Sequence, residues 1–129
     1  MIVDTSAIMA LLLKEPEASA FGAALTEEPR IAISAATLVE LCMVAESRAG
    51  PAVWAEVEAL VAGAGIEVVP FTAGQAALAR DGWRRFGKGR HPAGLNFGDC
   101  FAYALAQERG EQLLFKGDDF ARTDVRRAL

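Results

Sequence analysis

Residues 1–7 read MIVDTSA, and the class of fold turns on them. Ile2 and Val3 are apolar and β-branched, the composition of a short buried strand. Asp4 closes that run, and Thr5 or Ser6 is suited to cap a helix predicted to reach about Lys14 and to stop before Pro16. A buried strand that passes at once into a helix opens an α/β arrangement, in which successive strands lie parallel and helices cover the sheet.

The remainder of the chain repeats the pattern. A short helix is predicted over Glu17–Glu28 and a second strand over Ile31–Ile33. Ser34 then caps a helix covering Ala35–Ala49. Gly50-Pro51 reads as one helix ending and the next beginning, the latter running to about Ala62. Ile66–Val69 is a third strand, closed by Pro70, and Thr72 opens a helix to about Phe86. A glycine-rich loop, Gly87–Gly98, precedes a helix from Asp99 to Gly110, and Leu113–Phe115 is the fourth strand. The predicted fold is a single α/β domain over residues 1–129, a parallel sheet flanked by helices on both faces. In such sheets ligands bind beyond the carboxyl ends of the strands, where the strand order reverses.

Composition narrows the function. With 53% hydrophobic and 23% charged residues the chain is not of the disordered class. Its apolar runs, such as Ala7–Leu13, fall far short of the ~20 residues that span a bilayer, and no secretory signal is visible, so no membrane association is expected. Cys42 and Cys100 sit in apolar helical patterns without metal-ligand spacing, which points to small buried thiols and a cytoplasmic location. His91 is the sole histidine, which excludes a multi-histidine zinc site. Charge is unevenly placed. Residues 1–68 carry ten acids against Lys14, Arg30 and Arg48, a balance of −7, whereas residues 69–129 carry +3.

Five acidic residues on four segments stand out. Asp4 follows the first strand, Asp118 and Asp119 follow the fourth, and Asp99 opens the helix leading into it. Taken singly, Asp4 and Asp99 are ordinary helix caps and Asp118-Asp119 an ordinary turn. Glu40 is harder to explain in that way. Its helical neighbours Ala36, Thr37, Met43 and Val44 are uncharged, and Leu38, Leu41, Cys42 and Ala45 are apolar or nearly so, the profile of a helix buried all round. A carboxylate there is costly without a compensating cation. Carboxylates from four segments, three of them at the expected ligand-binding edge, repel one another, and a hard divalent cation with oxygen ligands, Mg²⁺ or Mn²⁺, relieves that repulsion. Such an ion also activates water beside a phosphate, so metal-assisted phosphodiester hydrolysis is the expected reaction.

A basic cluster fits the same substrate. Arg80, Arg84 and Lys88 follow a spacing of four, with Arg85 beside them and Arg90 and His91 next in the loop. Lys116 and Arg122 flank the GDDF turn. A solvated helix face is the simpler explanation for each residue alone, but together they suit nucleic-acid phosphates. No P-loop or G-x-G-x-x-G is present, which removes nucleoside triphosphate chemistry.

MIVDTSA, the VEL that contains Glu40, GKGRHPAGLNFGDCFAYALA (87–106) and LLFKGDDFARTDV (113–125) together resemble the PIN-domain ribonucleases, and more narrowly the VapC toxins of toxin–antitoxin pairs. The resemblance runs the full length of the chain. It implies a Mg²⁺- or Mn²⁺-dependent endoribonuclease site of Asp4, Glu40, Asp99 and Asp119, the last chosen over Asp118 because it directly precedes Phe120. By the same resemblance Thr5, Ser6, Asn96, Asp118 and Asp124 support that site, and the partners are a VapB-type antitoxin, RNA and a second copy of the chain. A phosphoacceptor receiver domain, the rival of similar length with Lys116 after the last strand, needs an aspartate after the third strand. Pro70-Phe71-Thr72 stands there instead.

Overall fold

The computed structural model describes residues 1–129. Four parallel strands form one sheet, β1 (Ile2–Val3), β2 (Ala32–Ser34), β3 (Glu67–Val69) and β4 (Leu113–Leu114), in the spatial order β3-β2-β1-β4. Ile2 pairs with Ala32 on one side and Leu113 on the other. The helices are α1 (Thr5–Leu12), α2 (Ala18–Glu27), α3 (Ala35–Ala49), α4 (Val53–Gly63), α5 (Ala73–Phe86) and α6 (Asp99–Arg109). A 3-10 turn spans Phe120–Arg122.

Successive strand residues face opposite sides of the sheet, and the core divides accordingly. Val3, Ile33 and Leu114 pack with Ile8, Phe21, Leu41 and Val57 from α1–α4. Ile2, Ala32 and Leu113 pack with Ala79 of α5 and Tyr103 and Leu105 of α6. Both faces are therefore covered, which is why strands of two or three residues suffice. Helices α5 and α6 touch closely at Gly82, where a Cβ would meet the Tyr103 ring at 2.5 Å. Alanine does not fit there.

Most element ends fall where the sequence predicts, and Ser34 and Thr72 cap α3 and α5 through their side chains. The first helix is shorter. Lys14 adopts a left-handed φ of 53°. Its N–H donates to Leu11 O and that of Glu15 to Ala10 O, a Schellman closure at a position that glycine usually fills. The third strand lies at the sheet edge, so Glu67 and Val68 are exposed rather than buried. Glu67 is held by two hydrogen bonds from Arg109, at 2.9 and 3.0 Å. At the opposite edge, Leu113 donates to Arg126 O at 2.8 Å and accepts from Ala128 N at 3.0 Å, so residues 126–128 run beside β4.

The chain moves outward from β1 through β2 to β3, then returns to place β4 on the other flank of β1. The reversal of strand order thus lies between β1 and β4. Asp4 leaves β1 there, and Lys116–Asp119 leave β4 there.

Candidate active site

Asp4 is the N-cap of α1. Its Oδ2 accepts from Ser6 N at 2.9 Å and from Ser6 Oγ at 2.5 Å. The Ser6 hydroxyl also accepts from Lys116 N at 3.0 Å, which ties the ends of β1 and β4 together. Asp4 is buried, and its Oδ1 has no partner. A buried carboxylate oxygen without a protein partner has the chemistry of a cation or water ligand. Burial, partly offset by the Ser6 hydrogen bonds, pushes the Asp4 carboxyl above its usual range.

Glu40 comes from the second turn of α3, and its Oε2 accepts from Thr5 Oγ1 at 2.7 Å. The helix is not buried all round as its composition implies: Val39 and Met43 are 60% and 66% exposed. Glu40 is half-buried because the backbone of Gly98 lies against its carboxylate. A Cβ at Gly98 would overlap Glu40 Oε1. Burial raises the Glu40 carboxyl, against the bond from Thr5, and the charge of Asp4 adds to the rise.

Asp99 is the first residue of α6, not its cap. Asn96 Oδ1 accepts from Asp99 N at 2.9 Å, while Asp99 Oδ2 accepts from Asn96 N at 2.7 Å. This exchange has the reciprocal pattern of a capping box but lies just ahead of the helix, where Gly98 takes the N-cap position itself. Asp99 thereby has one oxygen fixed by the backbone and its carboxyl turned to the same pocket as Asp4 and Glu40. Burial, then the charges of Asp4, Asp119 and Glu40, push it up to about 7.

The pocket has a volume of about 410 Å³, and Asp4, Glu40, Asp99, Thr5, Ser6 and Asn96 are among its walls. Neither Asp118 nor Asp119 forms part of the wall. Asp119 is near enough for its charge to raise both Asp4 and Asp99, and Asp118 is not among the groups acting on them. Asp124 belongs elsewhere: it accepts from Tyr103 Oη at 2.9 Å and Gln107 Nε2 at 3.0 Å, and pairs with Arg85.

No three acidic, histidine or cysteine side chains stand close enough to enclose an ion. Mg²⁺ does not require such a cage, since it keeps several waters and binds through one or two carboxylates. Asp4 Oδ1 and the carboxylates of Asp99 and Glu40, open to one pocket with room for an ion and its waters, fit that mode of binding.

The cations are more dispersed than the sequence implies. Helix α5 ends at Phe86, so Lys88 lies off the helical stripe of Arg80 and Arg84, its N–H bonded to Leu95 O. Arg80 borders an apolar groove of Phe71, Trp83, Phe97 and Phe101. Arg85 is engaged by Asp124, and Arg90 lies 4.1 Å over the Trp83 ring. Lys116 does reach the acid pocket, with its ammonium 2.8 Å from Glu15 and 3.2 Å from Glu17. Arg48 and Glu15 also line the pocket, and neither was singled out by composition or motif. The signal for Arg48 was its spacing, eight residues after Glu40 with Val44 between, which puts all three on one helical stripe.

A parallel α/β sheet with acids gathered at its switch point is the architecture of the PIN domain, whose family model matches residues 1–126. Ribonuclease VapC28 of Mycobacterium tuberculosis is 48% identical over an alignment covering all of this chain and 98% of that protein. The chain belongs to the PIN-domain family and, within it, to the VapC ribonucleases. Two solved structures share the fold at lower identity. One is M. tuberculosis VapC20, described as a sarcin–ricin loop cleaving toxin, with TM-score 0.78 and 19% identity over 96% of this chain and 95% of that one. The other is VapBC2 of Rickettsia felis bound to a fragment of promoter DNA, with TM-score 0.74 and 14% identity over 98% and 94%.

Proposed function

We propose that this single-domain protein is the toxin of a VapBC-type toxin–antitoxin pair, an endoribonuclease of the cytoplasm that requires Mg²⁺ or Mn²⁺. The observation that carries the reading is the shared pocket of Asp4, Glu40 and Asp99, with Asp4 Oδ1 buried and unpartnered. Asp4 and Asp99 would hold the ion directly, Glu40 and Asp119 through water or at its edge. Bound there, the ion supplies an activated water and offsets the charge of a phosphodiester. Ser6 fixes Asp4, Thr5 fixes Glu40 and Asn96 fixes Asp99, so each carboxylate keeps one oxygen anchored and presents the other. A net-negative pocket of this kind binds RNA poorly without a cation. Its natural inhibitor is therefore a basic segment of a VapB-type antitoxin, and the working unit is a homodimer within that complex. RNA chain cleavage of this kind stops translation and growth.

The test is incubation of the antitoxin-free protein with total bacterial RNA in Mg²⁺, Mn²⁺ or EDTA. Discrete fragments that need metal and disappear in Asp4→Asn and Asp99→Asn support the reading. Intact RNA under both metals refutes it and leaves the acids as a binding feature.

A further inference from the structure

Only two cations line the acid pocket, Lys116 and Arg48, and they stand in opposite states. Lys116 is already committed, its ammonium held between Glu15 and Glu17. Arg48 makes no ion pair, and its side chain is exposed. It stands on the last turn of α3, eight residues after Glu40, so its Cα lies roughly 12 Å along the helix axis from that of Glu40. Side chains on a helix lean toward its N-terminus, which inclines the guanidinium back over Val44 toward the carboxylates. A free guanidinium at the rim of an acidic pocket matches one class of ligand there, a phosphate that extends beyond the acids. Its planar fork binds two phosphate oxygens at once.

We propose that Arg48 is a positioning residue for the RNA, binding a backbone phosphate next to the one cleaved and so setting the register of the strand across Asp4, Glu40 and Asp99. This rests on the nuclease reading above for its substrate but not for its test. A cation in the last turn of α3 also complements the helix dipole, an interaction that lysine supplies as well as arginine. Arg48→Lys therefore separates the two roles, because it keeps the charge at the helix end and loses the bidentate fork.

The affinity of the full protein for a fluorescein-labelled oligouridylate is measured by anisotropy against salt, for wild type, Arg48→Ala and Arg48→Lys. Cleavage of total RNA is followed in parallel, with thermal melts as the check on folding. The expected result for Arg48→Ala is weaker binding, with the slope of log affinity against log salt reduced by about 1. In cleavage KM rises while kcat is nearly unchanged. Arg48→Lys melts like wild type yet recovers only part of the affinity. Unchanged oligouridylate binding and KM in Arg48→Ala overturn the assignment, and so does full recovery by lysine, which would reduce the residue to a helix-end charge. Absence of cleavage by wild type would refute the nuclease reading, while the binding arm would still decide on Arg48.

Discussion

Asn96 and Asp99 hold each other through two reciprocal hydrogen bonds of 2.9 and 2.7 Å, so one interaction both starts α6 and aims a site carboxylate. Stability and function are joined at this point. Asn96→Ala removes the side-chain acceptor for Asp99 N and costs about 1 kcal/mol, which lowers Tm by about 4 °C. Asn96→Asp, which keeps an acceptor, retains most of the Tm but adds a negative charge beside Asp99, so it should cleave RNA poorly. Paired melts and cleavage assays of the two variants check this.

The elevated Asp99 carboxyl predicts how the metal-free protein responds to pH. Unfolded, Asp99 releases its proton near 3.8, and folded it does so at about 7. Between those values the native chain binds more protons than the unfolded one, so stability falls as pH rises and levels off above about 7. Burial of Asp4 and Glu40 acts in the same direction. In EDTA the protein should therefore melt lower at about pH 8 than at about pH 5. Mg²⁺ should recover more of the Tm at the higher pH. Asp99→Asn should flatten the EDTA profile, and a profile that rises with pH would contradict the burial of these acids.

Gly98 predicts a steric dependence that conservation of charge does not relieve. Its φ of −64° is ordinary, so alanine is tolerated by the backbone. The added Cβ nonetheless strikes the Glu40 carboxylate. Gly98→Ala should displace Glu40 from Thr5 with a clear loss of cleavage but a cost of no more than about 1 kcal/mol, the lost hydrogen bond, because the far end of a flexible side chain can yield. Adding Glu40→Ala should restore the Tm and leave the cleavage lost. A double variant no more stable than Gly98→Ala would show that the clash is elsewhere.

Lys14 offers a substitution in the opposite direction. A non-glycine residue at φ 53° carries a left-handed penalty of about 1 kcal/mol. Lys14→Gly should raise the midpoint of urea unfolding, by an amount reduced by the extra freedom glycine gives the unfolded chain. A fall in the midpoint would indicate that the lysine stem packs to advantage.

Asp124 should act on stability alone. It joins Tyr103 and Gln107 of α6 to Arg85 of α5, an arrangement in which burial and the Asp124 carboxylate push the Tyr103 phenol above its usual range. Asp124→Ala is expected to lower Tm by a few degrees and to leave Mg²⁺ affinity, read by calorimetry, within about twofold of wild type.

The sequence carries much of this molecule on its face. The strand–helix alternation and the caps Ser34 and Thr72 are local features, written in adjacent residues, and they fall where they were expected. What was not legible depended on partners distant along the chain. Asp99 looks like a cap because aspartate is a good one, but the turn at Phe97-Gly98 puts Gly98 in that position and leaves Asp99 exchanging hydrogen bonds with Asn96. Asp124 sits among acids in the sequence, yet Tyr103 and Arg85 draw it away from the pocket. Glu40 stands out in the sequence as a carboxylate on a helix buried all round, yet α3 leaves Val39 and Met43 in solvent and it is Gly98 that half-buries the carboxylate. Arg48 lacked any motif, and its place became visible only once Glu40 and Val44 fixed which face of α3 looks into the pocket.

The run of residues 126–128 beside β4 also bears on how the protein avoids polymerising. A parallel sheet exposes unpaired N–H and C=O groups along both outer strands, and such edges recruit strands from other molecules. Here one edge is occupied by the chain's own backbone at Leu113. The other displays Glu67, fixed by Arg109 as a charge across the approach. Two different devices thus guard the two sides of one sheet, the β4 side by main-chain pairing together with Arg127 5.2 Å over the Phe115 ring and Ala128 against the core. Detachment of those few residues would bare β4 as a template for strand addition.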